Sequence, residues 1–161
     1  MTHYARIGAV AAMVVIVIFA GYEIYVLSSP PGPVTSQVPT MFTVNGKNYV
    51  FNFTATTQAE RLAGLMNKTV TGSTTMLFAF PSFGKWSFWM YDTNTSLDMI
   101  WLNATGSSAK VVYLVTGAPP CYNTSACADY TPSSPANYVI EARAGFAAAN
   151  GIAVGTYVTL S

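Results

Sequence analysis

The amino-acid sequence predicts an α+β fold, a compact β-rich domain with a barrel-like, mainly antiparallel sheet and one main helix, behind an N-terminal transmembrane helix. An apolar run stands near the N-terminus, one segment has helical periodicity, and short β-type segments separated by Gly, Pro, Asn and Ser fill the rest. Residues 41–161 are enough for one ordinary hydrophobic core and too few for two. We therefore predict a single domain after the apolar run.

The apolar run, residues 7–27, is long enough to cross a hydrocarbon layer of ~30 Å as a helix. Its only charged residue, Glu23, falls in its last two turns, at interfacial depth. Arg6 precedes the run and no Lys or Arg follows before Lys47, so the positive-inside rule places residues 1–6 in the cytoplasm. The pattern predicts a single-pass signal-anchor with everything after it outside the cytoplasm.

Residues 28–40 follow as a Pro-rich, uncharged segment that favours extended chain and is typical of a stalk. The predicted location is the cell membrane, with the domain of residues 41–161 on its extracytoplasmic side. A cleaved signal peptide is the alternative, although Val26-Leu27-Ser28 is a mediocre match to an A-x-A-like cleavage site.

The composition after the run is that of an outward-facing glycoprotein. Nine Asn are present, and chance predicts about two N-x-[S/T] sequons where five occur. The alternative is a Thr-rich domain with accidental sequons. Charged residues are 8% of the chain and the net charge is +1, which argues against nucleic-acid binding. Five sequons occur, at Asn52, Asn67, Asn94, Asn103 and Asn123.

The two cysteines, Cys121 and Cys127, are separated by five residues in a Pro-rich segment. Outside the cytoplasm such a pair is most simply a disulfide that closes a small loop. A redox or metal pair is the alternative, but the spacing is not C-x-x-C and no His is near. The only histidine, His3, lies on the predicted cytoplasmic side, so we expect no metal and no cofactor in the domain.

The predicted elements begin with a hairpin, because 41–44 and 48–55 alternate around Asn45-Gly46, a dipeptide that tolerates a type I′ turn. A capping box at Thr57 and Glu60 opens a helix over 57–67. A single helical turn is expected at 146–150. Further strands are predicted at 76–80, 87–91, 99–103, 110–115, 138–143 and 156–160.

Several motifs in order make the chain recognisable: R-L-A-G-L-M at 61–66, M-L-F at 76–78 and F-W-M-Y-D-T-N-T-S-L-D-M-I at 88–100. They resemble the domain of unknown function 192 family, and the resemblance covers nearly the whole predicted domain. It implies a compact β-rich α+β fold, often behind a signal peptide or single anchor, and no established activity. The chain departs from the family's F-W-M-K-N-T, because Tyr91 and Asp92 replace the lysine and the amide.

The few ionisable residues limit the chemistry. Asp92 and Asp98 are the best pair for general acid and base work on a glycoside. The structural alternative is that Asp92 caps a turn and Asp98 forms an ion pair with Arg61. Arg61 is expected to pair with either Asp98 or Glu141, because a guanidinium among apolar neighbours needs a carboxylate.

The aromatic segment suggests a second kind of site. Strand alternation would place Trp89 and Tyr91 on one face, and with Trp101 they could line a groove that stacks on a sugar or another apolar ligand. Ordinary core packing is the alternative for these side chains. Two interpretations also apply to four methionines, Met66, Met76, Met90 and Met99. They could gather as thioether ligands of a soft Cu(I) ion, or they could be ordinary core filler.

Two function classes remain. The preferred one is a non-catalytic envelope module that binds a ligand or a partner, with a glycan or a membrane protein complex as possible partners. The alternative is an extracytoplasmic carbohydrate-active hydrolase that uses Asp92 and Asp98. The candidate binding residues are Arg61, Trp89, Tyr91, Asp92, Asp98 and Glu141.

Overall fold

Eight strands form one sheet in the computed structural model, which describes residues 37–161. The predicted cytoplasmic tail, the transmembrane helix of residues 7–27 and most of the stalk lie outside the described residues. No helix in the part that is described is long and apolar enough to span a membrane. The strands are β1 Met41–Val44, β2 Lys47–Val50, β3 Phe53–Ala55, β4 Thr75–Gly84, β5 Leu97–Thr105, β6 Ser108–Ala118, β7 Ala136–Arg143 and β8 Tyr157–Leu160.

The sheet has the order β2-β1-β8-β6-β5-β7-β4-β3, and all its strand pairs are antiparallel except β3 with β4. The two outermost strands, β2 and β3, are consecutive in the chain and are separated only by Phe51 and Asn52. Because so short a link cannot cross a flat eight-stranded sheet, the two edges must approach each other. The sheet is therefore curved and barrel-like, as expected.

The first hairpin is confirmed. Asn45 and Gly46 have φ angles of 49° and 76°, as both central residues of a type I′ turn require. The strand predicted over 48–55 is divided, however, because Asn52 changes partner. Its backbone N–H donates to the carbonyl of Thr75, and its Oδ1 accepts from the Thr75 N–H at 2.8 Å. The chain then continues as β3, parallel to β4.

The main helix, α1, runs over Gln58–Ala63 and begins with the predicted capping box. The Thr57 hydroxyl accepts from the Glu60 N–H at 3.2 Å, and Glu60 Oε2 accepts from the Thr57 N–H at 2.9 Å. Hydrogen bonds from the backbone of Thr57 and Thr56 lower the pKa of Glu60 to about 2. The helix ends four residues before the predicted boundary, because Gly64 adopts a φ of 45°.

The later strands lie where they were predicted, most of them longer, and the helical turn is confirmed as α2, Phe146–Ala149. The strand predicted over 87–91 is wrong. This segment makes only two isolated bridges, from Phe88 to Tyr130 and from Tyr91 to Cys121. Its partners belong to the irregular chain between β6 and β7, so the segment is a loop that packs on the sheet. We call residues 86–96 the crossing segment.

The sheet has a buried cluster on each face, which we call the first and second cores. In β5, Asp98 and Ile100 face the first core whereas Met99 faces the second. In β7, Val139 faces the second core, and the alternation places Glu141 on that same face. Asp98 and Glu141 therefore project from opposite faces of the sheet. The first core includes Phe42, Leu77, Leu102, Val111 and Ile140; the second includes Leu65, Met76, Phe78, Met90 and Trp101.

Candidate functional site

A small pocket opens beside the second core, where the end of α1, the crossing segment and the sheet meet. Its volume of about 30 Å³ leaves room for about two water-sized groups. Among residues 37–161, Glu141 of β7 is the only acidic side chain that lines it. The other lining residues are Arg61, Leu62, Ala63, Gly64, Leu65 and Met66 from α1 and its end, Phe78 from β4, and Phe88, Trp89, Tyr91 and Thr93 from the crossing segment.

Glu141 is 4% exposed and lies beside Met76 of β4 and Met99 of β5. Burial raises the pKa of its carboxyl to about 8, because desolvation penalises the charged form. No hydrogen bond joins this carboxyl to another described residue. In the described part of the chain, every side-chain oxygen that is completely buried has a hydrogen-bond partner, so the Glu141 oxygens are not completely buried. Its oxygens therefore reach the open space of the pocket.

Arg61 also lines the pocket, but the predicted ion pair with Asp98 or Glu141 is wrong. Its Nη1 donates to the backbone carbonyls of Thr56 at 2.6 Å and Ala79 at 2.9 Å. The guanidinium lies 5.1 Å from the centre of the Phe80 ring. Two carbonyl acceptors and an aromatic ring thus replace the expected carboxylate. Arg61 fastens α1 to β4.

Replacement of Arg61 by alanine is expected to lower the free energy of unfolding by about 1–2 kcal/mol, since two charge-assisted hydrogen bonds are lost at a half-buried position. Urea unfolding followed by tryptophan fluorescence measures the change. Lys85→Ala, at an exposed position, is the matched control and should shift stability by less than about 0.5 kcal/mol. Equal stability of Arg61→Ala and the control would contradict the fastening role.

Asp98 is fully buried, and the structure gives it a structural role. Its Oδ1 accepts from the Gly117 N–H at 2.9 Å and its Oδ2 from the Ala147 N–H at 2.9 Å. The carboxylate thus joins β5 to the end of β6 and to α2. Asp92 lies in the crossing segment with a φ of 50°. Since Asp98 offers no oxygen to an external substrate, the structure does not support a hydrolase that uses this pair.

The aromatic residues are divided between the pocket and the core. Trp89 is 38% exposed at the pocket, with its ring 5.4 Å from that of Tyr91. Trp101, in contrast, is fully buried, and its Nε1 donates to the carbonyl of Trp86 at 2.9 Å. The predicted three-residue groove is therefore reduced to two residues. Of the four methionines considered for copper, Met76, Met90 and Met99 are buried in the second core and Met66 lines the pocket.

Thr93, Leu65 and Phe78 line the pocket although they were not predicted as site residues. All three stand inside the motifs that identify the family, so their position in those motifs could have marked them as candidate site residues. Thr93 is 4% exposed, and it adds a hydroxyl to the lining. The described residues contain no group of three or more His, Cys, Asp or Glu able to hold a metal ion.

The predicted disulfide between Cys121 and Cys127 is present, with their Cα atoms 5.6 Å apart. The Cys121 N–H donates to the carbonyl of Met90, and its own carbonyl accepts from the Asp92 N–H at 2.9 Å. The disulfide loop therefore holds the part of the crossing segment that carries the pocket aromatics. Of the five sequon asparagines, Asn103 is half-buried and the other four are exposed.

Comparison with known proteins identifies the family but no activity. A solved structure from Novosphingobium aromaticivorans, of a protein of unknown function, is similar with 26% identity, a TM-score of 0.58, and coverage of 82% of this chain and 93% of its own. A proposed transcription regulator from Sinorhizobium meliloti has 23% identity and a TM-score of 0.59, over 74% of this chain and 89% of its own. No curated protein matches. The family model for DUF192, described as "Uncharacterized ACR", matches residues 41–160, so this chain belongs to the domain of unknown function 192 family.

Proposed function

We propose that this protein is a membrane-anchored extracytoplasmic module that binds a small ligand in the Glu141 pocket and does not transform it. The observation that carries the proposal is the Glu141 carboxyl, which is nine-tenths buried, has no protein partner among the described residues and reaches open space. Burying such a group costs free energy unless something hydrogen-bonds to it. A ligand that satisfies the carboxyl would recover that cost.

The pocket favours a small ligand over a protein partner because it is concave and narrow. Binding without reaction is favoured by the ionisable groups present. Arg61, Tyr91 and Glu141 are the only ionisable residues among those that line the pocket, and the Arg61 guanidinium already donates to two carbonyls. No second carboxylate stands opposite Glu141 in the lining to complete an acid–base pair.

The proposed location is the outer side of the cell membrane, with residues 7–27 as the anchor and residues 28–40 as the stalk. The apolar run, the charge order around it and the exposed sequons support this orientation. The protein could then act as an accessory subunit that presents a ligand to a membrane complex. Protection of the domain from protease added to intact cells would contradict this orientation.

The test is to purify the full chain from its native membranes and to identify bound small molecules by mass spectrometry. Wild type is compared with Glu141→Gln, which keeps the shape of the side chain, and with Asp129→Asn, which removes an exposed charge outside the pocket. We expect one compound to accompany wild type and Asp129→Asn and to fall at least about tenfold in Glu141→Gln. The same compounds in all three proteins would contradict the proposal, as would chemical conversion of the compound by the wild type.

A further inference from the structure

We infer that the ligand group bound in the Glu141 pocket is a primary alkylammonium, with the Glu141 carboxylate as its counter-ion. This inference rests on the proposed function and specifies the chemistry of its ligand. Three features of the pocket carry it: the balance of charges in the lining, the hydrogen-bond acceptors at the end of α1, and the size and mouth of the space.

The charges of the lining favour a cation. Glu141 is the only acidic residue and Arg61 the only basic one among the lining residues. The Arg61 guanidinium donates to the Thr56 and Ala79 carbonyls and lies against the Phe80 ring, and no hydrogen bond or ion pair joins it to Glu141 among the described residues. Tyr91 is the remaining titratable side chain in the lining, and the β4 and β5 neighbours of Glu141 are methionines. Glu141 is thus the one carboxylate among the lining residues that could act as counter-ion to a bound cation.

Hydrogen-bond acceptors are also concentrated there. The backbone carbonyls of Arg61, Leu62 and Gly64, at the end of α1, accept no backbone hydrogen bond from the residues that the structure describes. All three residues line the pocket, and free carbonyls carry partial negative charge. Together with the Thr93 hydroxyl oxygen and the carboxylate, they place hydrogen-bond acceptors on several of the residues that line the pocket. An ammonium group, which has three donors and no acceptor, matches that lining.

The size of the space selects among cations. A space of about 30 Å³ favours a slender terminal group such as a primary ammonium over a quaternary ammonium with four substituents. The rest of an alkyl chain would have to leave through the mouth, where Leu62 is 62% and Trp89 38% exposed. These apolar side chains suit the methylene groups of such a chain.

The pH dependence of binding affinity distinguishes a cationic ligand from a neutral one. In the empty pocket the carboxyl is largely protonated at pH 7, because burial raises its pKa to about 8. An ammonium binds the carboxylate, so the carboxyl proton passes to the buffer, and affinity should rise about tenfold per pH unit well below pH 8 and level off above it. A neutral amide or alcohol that binds the protonated carboxyl would lose affinity above pH 8.

The experiment is calorimetric titration of the full chain with n-butylammonium between pH 6 and 9, in buffers of different ionisation enthalpy. Butan-1-ol serves as the neutral comparator and tetramethylammonium as the oversized cation. We expect butylammonium affinity to rise about 50-fold from pH 6 to 8, with release of about one proton near pH 6. Glu141→Gln should lose at least about tenfold in affinity at pH 8, and Asp129→Asn should match wild type.

An Nα-acetyl-lysine methylamide probe separates two sources of the ammonium group. Tighter binding of this probe than of butylammonium indicates a lysine side chain, and equal binding indicates a free amine.

The inference is overturned if butanol binds as well as butylammonium, if butylammonium affinity falls with rising pH, or if Glu141→Gln binds butylammonium as tightly as wild type does. It is also overturned if butylammonium does not bind while membrane-purified protein retains a Glu141-dependent compound, and the proposed function then stands. Absence of any such compound counts against the proposed function instead.

Discussion

Replacement of Asp98 by alanine is expected to lower the free energy of unfolding by about 3–5 kcal/mol, a large share of the stability of an ordinary domain. The carboxylate accepts the backbone N–H groups of Gly117 and Ala147, and both would lose their acceptor inside the protein. Asp98→Asn should also destabilise, because its amide NH₂ would face one of these donors. Urea unfolding followed by tryptophan fluorescence measures both effects.

The matched control for Asp98 is Asp92→Asn, because asparagine also tolerates the positive φ at this position. Its stability should remain within about 0.5 kcal/mol of wild type. If Asp98→Ala proved as stable as this control, the structural role of Asp98 would be refuted. Near-native stability of Asp98→Ala together with a loss of hydrolytic activity would revive the interpretation of Asp98 as a reacting group.

Glu141→Gln is expected to stabilise the protein at alkaline pH. The folded-state pKa of Glu141 is raised from 4.5 to about 8, so the wild type has this group's full stability below pH 4.5 and loses it as the pH rises to 8. The loss is about 1.4 kcal/mol for each pH unit in that window. Glutamine does not titrate, so the variant should equal wild type near pH 4.5 and exceed it by several kcal/mol, on the order of 5, at pH 8.

Unfolding of wild type and Glu141→Gln at several pH values measures this difference directly. The subtraction removes the contribution of Glu60, whose lowered pKa acts in the opposite sense: its stability is present above pH 4.5 and is lost as the pH falls towards 2. Parallel pH profiles for the two proteins between pH 5 and 8 would show that Glu141 is well solvated. The pocket would then lack the buried carboxyl on which the proposed function rests.

Local signals predicted local structure well. The Asn45-Gly46 turn and the Thr57–Glu60 capping box depend on residues at most a few positions apart, so their chemistry can be seen in the sequence. The crossing segment was misjudged because its β-type alternation has no strand to pair with. A strand needs a partner, and the partner is decided by the three-dimensional arrangement of the chain.

The choice of hydrogen-bond partners also explains why the predicted ion pair at the site was wrong. Arg61 was expected to pair with Asp98 or Glu141, but Arg61 and Asp98 each bind backbone groups far away in the chain, such as the carbonyl of Ala79 and the N–H of Ala147. Every residue carries these backbone groups, so residue types give no sign of them. Glu141 was among the candidate binding residues, as a possible partner of Arg61. Its desolvation depends on which face of β7 meets the second core, and that follows only from the complete sheet.

The lengths of the strands bear on how this domain behaves when copies of it meet at high local concentration. The outermost strands, β2 and β3, have four and three residues, whereas the strands of eight to eleven residues are paired on both sides. Short edge strands are poor templates for strand addition by another chain. If the domains are held close together by the proposed anchor, they meet often, and short edge strands protect them from edge-to-edge aggregation while the pocket stays open to solvent.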